Sequence, residues 1–388
     1  MKKLLTILFL CVSMFPLSAQ NLQDLSFGTD STFEVITWNI EWFPKNGTTT
    51  VDSVRKALES LDADIIACQE IGDTNVWKQM IATLPDYETV FETNYYTGLA
   101  YLYKPSSVQV LDYYEIYHTQ PFWKNFPRAP KVLEVRVQGE DFIIINNHLK
   151  CCGDGNLSYG VINDEENRRY EAMNLIKDYI DINFPTKNVI VVGDLNDELT
   201  DDESDNVFQN IMGDIFNYKF ADMNIAEGLS FNWSYPSWPS HLDHILITNE
   251  LFDEFSSSSA VIETIKIENF LQGGFNYYDS NMSDHRPVGL KFDINSNTSA
   301  TKSQLAKANL NIYPNPATNQ FSITFEKNIK NGFLEIFSVD GRCVKSLMLL
   351  NNQSLVDVNI NDLTNGIYYV KVSSESGEMV GKLMVIEP

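Results

Sequence analysis

The sequence predicts a mixed α and β domain built from helix-covered sheets, followed by a small all-β sandwich. Three observations lead there. Residues 30 to 294 alternate strand-like with helix-like segments, residues 309 to 388 hold short β runs separated by turns, and a stretch poor in large apolar residues divides the two. The chain has 388 residues, 44% hydrophobic and 21% charged, which suits one large domain plus a smaller one and excludes disordered or collagen-like structure.

The amino terminus reads as an export signal. Lys2 and Lys3 precede a mostly apolar run from Leu4 to Phe15, followed by Pro16 and the small-residue exit Leu17-Ser18-Ala19. The run is too short to cross a bilayer and has the basic flank and cleavage site of a signal peptide, assigned to residues 1–19. No later stretch approaches ~18 apolar residues, so no transmembrane segment is expected. Cys11 has no lipobox around it, which argues against a lipid anchor. A secreted or cell-surface protein is the expectation.

In the main segment, taken as residues 20–294, Glu34 to Asn39 and Asp64 to Gln69 are strand-like, and Val51, Val54, Leu58 and Leu61 fall on one helix face between them. Phe142 to Asn147 and Val189 to Val192 are apolar and β-branched, flanking a helical segment from about Asp164 to Asn183. Such buried strands belong in sheets covered by helices. Residues 295–308 form a linker by composition. In the tail, taken as 309–388, Phe321 to Phe325, Phe333 to Ser338, Leu355 to Val358, Ile367 to Val372 and Lys382 to Ile386 are strand-like, with Asp340-Gly341 and Asn365-Gly366 as turns.

Charge is unevenly spread. The whole chain has 28 basic and 52 acidic residues, a net charge of −24, whereas residues 21–294 carry 18 basic and 44 acidic and reach −26. That balance excludes a protein that holds nucleic acid by broad electrostatic attraction. Of the four cysteines beyond the leader, Cys68 lies in the apolar run Ile65-Ile66-Ala67-Cys68 and reads as a core residue. Cys151 and Cys152 are adjacent, which leaves both a vicinal disulfide and two free thiols open. Adjacent cysteines make a poor zinc site, because tetrahedral sites use spaced pairs.

The chemistry is written where polar residues interrupt apolar strands. Trp38-Asn39-Ile40, Cys68-Gln69-Glu70, Asn147-His148-Leu149, Gly193-Asp194-Leu195-Asn196, Leu242-Asp243-His244-Ile245 and Ser283-Asp284-His285-Arg286-Pro287 each set Asn, Asp, Glu or His in or beside such a run. Buried carboxylates are costly unless paired, so several together mark a site. The donors are mostly oxygen, which suits Mg²⁺, Mn²⁺ or Ca²⁺ and disfavours a thiolate zinc site.

In order and spacing these motifs resemble the endonuclease/exonuclease/phosphatase family, over nearly all of residues 33 to 294. The resemblance implies a four-layer sandwich, two central β-sheets flanked by helices, with the site at one end of the sheets. It implies a metal held by Glu70 with Asn39 and Asp284, and a pair, Asp194 and Asn196, that orients water and phosphate. His285 then resembles the general base or phosphate donor, oriented by Asp243, and His148 a second histidine at a phosphate oxygen or leaving group. Arg128, in Pro127-Arg128-Ala129-Pro130, resembles a phosphate-contacting arginine of the deoxyribonuclease branch. Tyr313-Pro314-Asn315-Pro316-Ala317, Asp340-Gly341-Arg342 and Leu363-Thr364-Asn365-Gly366-Ile367-Tyr368 resemble the type A C-terminal sorting domain of the type IX secretion system, which implies handling by that machinery.

The deoxyribonuclease branch is the nearest local match, through Leu102 to Asp112 and the Arg128 segment. Two departures stand against duplex DNA. Glu41 and Ile71-Gly72-Asp73 occupy places where that branch tends to carry arginines, and Thr97 stands near the glutamate that would orient the first histidine. The expected function is an extracellular, metal-dependent endonuclease acting as a monomer. A sphingomyelinase-like or other small phosphate-ester hydrolase is the alternative, with Trp233, Tyr235 and Trp238 as its lipid-facing or base-stacking patch. A non-catalytic binding module ranks last, because every motif position is occupied.

Overall fold

The computed structural model describes residues 21–91, 98–294, 310–329, 332–338, 343–349, 353–361, 363–374 and 377–386. The leader at 1–19, the linker at 295–308, Thr97 and the Asp340-Gly341-Arg342 turn lie outside the described residues. No described helix is long and apolar enough to cross a membrane.

Among the described residues, twelve strands precede the linker. In chain order they are β1 (Phe33–Phe43), β2 (Ile65–Ile71), β3 (Glu88–Val90), β4 (Ala100–Tyr103), β5 (Val108–Glu115), β6 (Lys131–Val137), β7 (Glu140–His148), β8 (Asn188–Asp194), β9 (Tyr218–Phe220), β10 (Asp243–Thr248), β11 (Val261–Thr264) and β12 (Val288–Phe292). They form two six-stranded sheets, ordered β11-β12-β1-β2-β4-β3 and β5-β6-β7-β8-β10-β9. Pairing is mixed: β1 runs parallel to β2 and β7 parallel to β8, with antiparallel neighbours around them.

Alternation along each strand explains the layers. On β1, Phe33 and Val35 enter the core between the sheets, while Ile36, Trp38 and Ile40 face the helices α1 (Gly47–Leu61) and α2 (Thr74–Ile81). On β7 and β8, Phe142, Ile144, Ile190 and Val192 enter the same inter-sheet core. Ile143, Ile145, Val189 and Val191 pack instead under α3 (Glu165–Asn183) through Ala172, Met173 and Ile176. The result is the expected helix–sheet–sheet–helix sandwich. The sequence places α3 within a residue of its observed start because Asp164 is its N-cap, accepting a hydrogen bond from the Asn167 amide at 2.7 Å.

The tail is all-β as expected: a three-stranded and a four-stranded antiparallel sheet enclose a core of Phe321, Ile323, Leu334, Ile336, Val370 and Leu383. Two strands beyond the expected set, Asn311–Tyr313 and Cys343–Leu349, complete these sheets. Asn315 of the Tyr-Pro-Asn-Pro entrance accepts from the Met384 amide at 2.8 Å, fastening the entrance to the last strand.

One glycine sets the spacing of β7 and β8. Gly193 has φ +149°, and a Cβ there would lie 2.0 Å from the Asn147 carbonyl oxygen. Gly193→Ala should therefore cost on the order of 4 kcal/mol or more, by steric overlap and backbone strain together. Equilibrium denaturation in urea against the unsubstituted protein measures it.

Candidate active site

Continued alternation carries the inter-sheet face from apolar to polar at one end of the sandwich. After Val35 the same face of β1 presents Thr37 and Asn39; after Ala67, β2 presents Gln69; after Ile144, β7 presents Asn146 and His148; after Val192, β8 presents Asp194. β10 runs antiparallel to β8 and so brings its first residue, Asp243, to the same end. Strand register then aligns three groups: His148 pairs with Asp194, and Asp194 with Asp243.

These side chains meet. Asn39 Nδ2 donates to Asp194 Oδ2 at 2.9 Å and to Glu70 Oε1 at 3.3 Å. His148 Nε2 stands 3.6 Å from Asp194 Oδ2 and 3.8 Å from Glu70 Oε1. His285 Nδ1 is 2.7 Å from Asp243 Oδ2, and its Nε2 lies 3.8 Å from Asp194 Oδ2 and 3.9 Å from Asp284 Oδ1. The Asn196 amide donates to Asp194 Oδ1 at 3.1 Å, and its side chain donates to the Leu149 carbonyl at 3.3 Å. Arg128 sits at the margin, its Nη1 reaching the Leu149 carbonyl at 3.4 Å. The structure thus gathers Asn39, Glu70, His148, Asp194, Asn196, Asp243, Asp284 and His285, with Arg128 beside them.

The support of His285 is backbone-directed. Ser283 Oγ donates to the Asn39 carbonyl at 2.6 Å and accepts from the His285 amide at 2.9 Å, while Trp38 Nε1 donates to the His285 carbonyl at 3.2 Å. The Tyr235 ring packs 4.8 Å from the imidazole. The aromatic loop divides accordingly: Tyr235 belongs to the site wall, half-buried Trp233 donates to the Ile225 carbonyl at 3.1 Å, and Trp238 is 78% exposed. Trp42, also exposed at 74%, donates its amide to Glu70 Oε2 at 3.0 Å.

Electrostatics separate the two histidines. Burial pushes the His148 imidazole well below its usual range, and Arg128 and His285 push the same way. Burial would lower His285 too, but Asp243 and then Asp194 outweigh it and raise it to about 10. Burial lifts Asp194 to about 6, with His285 opposing and Asp243 adding to the rise, and lifts Asp284 to about 7, with Glu41 adding to the rise.

The donor set fits a divalent cation. Glu70, Asp194 and Asp284 crowd negative charge into one partly buried place, and Asn39 Oδ1 and Asp284 Oδ1 have no hydrogen-bond partner. Such oxygens suit Mg²⁺ or Mn²⁺. Asp194, Asp243 and His285 also bring ligand atoms within 4.8 Å of one another. Their shortest contact is the Asp243–His285 hydrogen bond at 2.7 Å, which engages these two atoms with each other instead of leaving both free for metal.

The endonuclease/exonuclease/phosphatase family model matches residues 36–285. The chain belongs to this family. Family members are hydrolases acting on phosphoester bonds. A second model, a secretion system C-terminal sorting domain, matches residues 311–387 and implies export to the cell surface or beyond. Among solved structures, D. rerio TDP2 complexed with single strand DNA product aligns with a TM-score of 0.51 at 15% identity, covering 68% of this chain and 100% of that one. D. rerio TDP2 humanized by 14 mutations aligns with a TM-score of 0.51 at 14% identity, covering 68% and 99%. At these identities the likeness speaks for the fold. No curated protein matches the chain in sequence.

Behind the family site lies a network that sequence reasoning misses. Asp222 Oδ2 meets His241 Nε2 at 3.0 Å and His244 Nδ1 at 2.6 Å, all three fully buried, and its Oδ1 accepts the Ile245 amide at 2.9 Å. His244 Nε2 faces the Asp197 carbonyl at 2.9 Å, so both its ring nitrogens face acceptors and it is an imidazolium. Burial opposes that charge, and Asp222 overcomes it, raising His244. Burial would likewise raise Asp222, but His244 and the two histidine hydrogen bonds hold its carboxyl far below the usual range. Only the His-x-x-His spacing at 241 and 244 signals this pair in the sequence, because Asp222 lies nineteen residues upstream of His241.

Asp222→Asn leaves a buried cation without its counter-charge and should cost about 3–5 kcal/mol in urea denaturation. The Asp222 carboxyl is depressed on folding. Its contribution is therefore complete above the unfolded pKa of about 3.9 and is lost as pH falls through the lower folded value. An acid-denaturation curve of the variant should accordingly lose part of its steepness below that point.

Proposed function

We propose that the protein is an exported, divalent-metal-dependent phosphodiesterase, and that its substrate is nucleic acid cleaved internally. The observation that carries the reading is the Asp243–His285 pair at 2.7 Å, which spans the inter-sheet cleft beside the Asn39–Asp194 hydrogen bond at 2.9 Å. Hydrolysing a phosphodiester requires negative charge to be countered, a water to be aligned and a proton to be managed. A cation held by Glu70, Asn39 and Asp284 would supply Lewis acidity there.

The chain's own residues take the other roles. Asp194 and Asn196 align the water and the phosphate, with Asn196 fixed by the Asp194 carboxylate through its amide. His285, oriented by Asp243 and held protonated by it and Asp194, serves as phosphate donor, and as general base once that proton has been given up. His148 is held neutral by burial and the nearby cations, and so can accept or pass a hydrogen bond at a phosphate oxygen or leaving group. Arg128 supplies fixed positive charge at the edge of the cleft. Retention of both histidines favours an enzyme over an inert scaffold.

The preference for nucleic acid rests on the deoxyribonuclease-like segment from Leu102 to Asp112 and on Arg128. A lipid head group or small phosphate ester is the second reading, favoured by the exposed Trp42 and Trp238, while the −26 charge of residues 21–294 weighs against an anionic lipid surface as it does against broad nucleic acid binding. The sorting domain supports passage through the type IX secretion machinery, and a single chain suffices to build the site.

Glu70→Ala, Asp243→Asn and His285→Ala should each lower hydrolysis by ~10² to 10⁴ with the fold retained. Chelation by EDTA should stop turnover, and Mg²⁺ or Mn²⁺ should restore it. The purified chain is assayed in parallel on DNA, RNA, sphingomyelin and bis-p-nitrophenyl phosphate. Cleavage of sphingomyelin without cleavage of nucleic acid would replace the first reading by the second, and wild-type rates in any folded variant would refute both.

A further inference from the structure

Directly after His148 the chain runs Leu149-Lys150-Cys151-Cys152-Gly153. Both thiols are free, Cys151 half-buried and Cys152 exposed, and their Sγ atoms lie 3.0 Å apart. The turn that brings them together is held from outside. Arg169 of α3 donates through Nη1 to the carbonyls of Lys150 at 2.8 Å and Cys152 at 2.7 Å, bracketing the pair. Arg169 is itself buried and anchored by Asp197 at 2.7 Å and Glu166 at 3.3 Å. Cys152 adopts φ +70°, and Gly153, at φ +122°, passes so close to the Glu166 carboxylate that a Cβ would lie 2.0 Å from Oε1. The loop is thus fixed with its two sulfurs face to face and one of them open to solvent.

We propose that Cys151 and Cys152 form a reversible vicinal disulfide in the exported protein. The oxidant is a disulfide of the extracellular or envelope space, either a small-molecule disulfide or a dithiol oxidase. The exposed Cys152 thiolate attacks one sulfur of that disulfide and releases the other as a thiol; Cys151 then displaces the bound half as a second thiol. Two S–H bonds are lost and one S–S bond forms, while the two electrons reduce the oxidant and the two protons leave with the released thiols. Adjacent Cα atoms are about 3.8 Å apart across a trans peptide, closer than the usual disulfide span, so the closed ring is more easily reduced than a structural bridge. Cys68 cannot compete, being buried in the core of the first sheet.

The pair also touches the site through backbone. The Leu149 amide donates to the Asp194 carbonyl at 3.0 Å, and the Leu149 carbonyl receives both Asn196 and Arg128. Closing the ring therefore stiffens the strap on which those two side chains hang.

The test needs no hydrolytic activity and so stands apart from the proposed function. The full chain is equilibrated with glutathione disulfide, alkylated with iodoacetamide and digested with trypsin, which releases both cysteines on the single peptide 151–168. The expected peptide is unlabelled and about 2 Da lighter than its dithiol form, and takes two labels after treatment with dithiothreitol. Stepwise glutathione redox buffers should convert it fully and reversibly between the two forms. Two labels without prior reduction, one or two glutathione adducts, or a cross-link to Cys343 would each overturn the proposal.

Discussion

Each strand at the centre of this protein must serve two interiors at once, one shared with the other sheet and one shared with a helix. Because side chains alternate strictly, the inter-sheet face can change character only every second residue. Thr37 and Asn39, Gln69, Asn146 and His148, and Asp194 are the positions at which that face leaves the apolar core, and Asn39 lies level with Gln69, and His148 with Asp194, because parallel pairing keeps β1 with β2 and β7 with β8 in step. The site is therefore a property of register. Slipping one strand by a single residue would turn its polar group into the helix layer and bring an aliphatic one into the cleft.

Placing charge at such a depth has to be balanced nearby, and the balance is arranged in tiers. The first tier, Asp194, Asp243, Asp284 and His285, is left with excess negative charge and open oxygen atoms, as a cation-binding site requires. The second is more closely paired: Asp222 is matched by His244, and Arg169 bridges Glu166 and Asp197, offsetting one of their two charges. The two tiers meet at the loop from Asp194 to Asp197, whose carbonyl and carboxylate ends are tied to different members of the second tier. The first tier is thus backed by a hydrogen-bonded surround.

Much of the site was legible because polar residues inside β-branched runs stand out against a simple pattern. Asp243 within Leu242-Asp243-His244-Ile245 announces a buried partner, and His285 is that partner. The layering and the tail sandwich follow from periodicity in the same way. What stayed hidden depends on long-range pairing. Arg169 reads as an ordinary charge on a solvated helix until α3 is laid against the loop after β7. Asp222 lies in a connecting segment, and nothing local tells which strand will cover it. Gln69 and Asn146 lie in the expected strands, yet nothing local tells that they bond to each other across the sheets at 2.8 Å until the sheets are stacked.

Seven non-glycine residues among those described adopt positive φ, and four of them, Trp42, Glu70, Cys152 and Asn196, lie in or beside the cleft. A side chain at such an angle is tolerated only where the surroundings compel it. Glycine at these four positions would relax the backbone, so a search for sturdier variants guided by stability alone would be drawn to the proposed site, Glu70 and Asn196 included. Under the proposed function, heat tolerance and turnover would be set against each other at single torsion angles, and a sturdier variant would be sought on the distant faces of the sandwich.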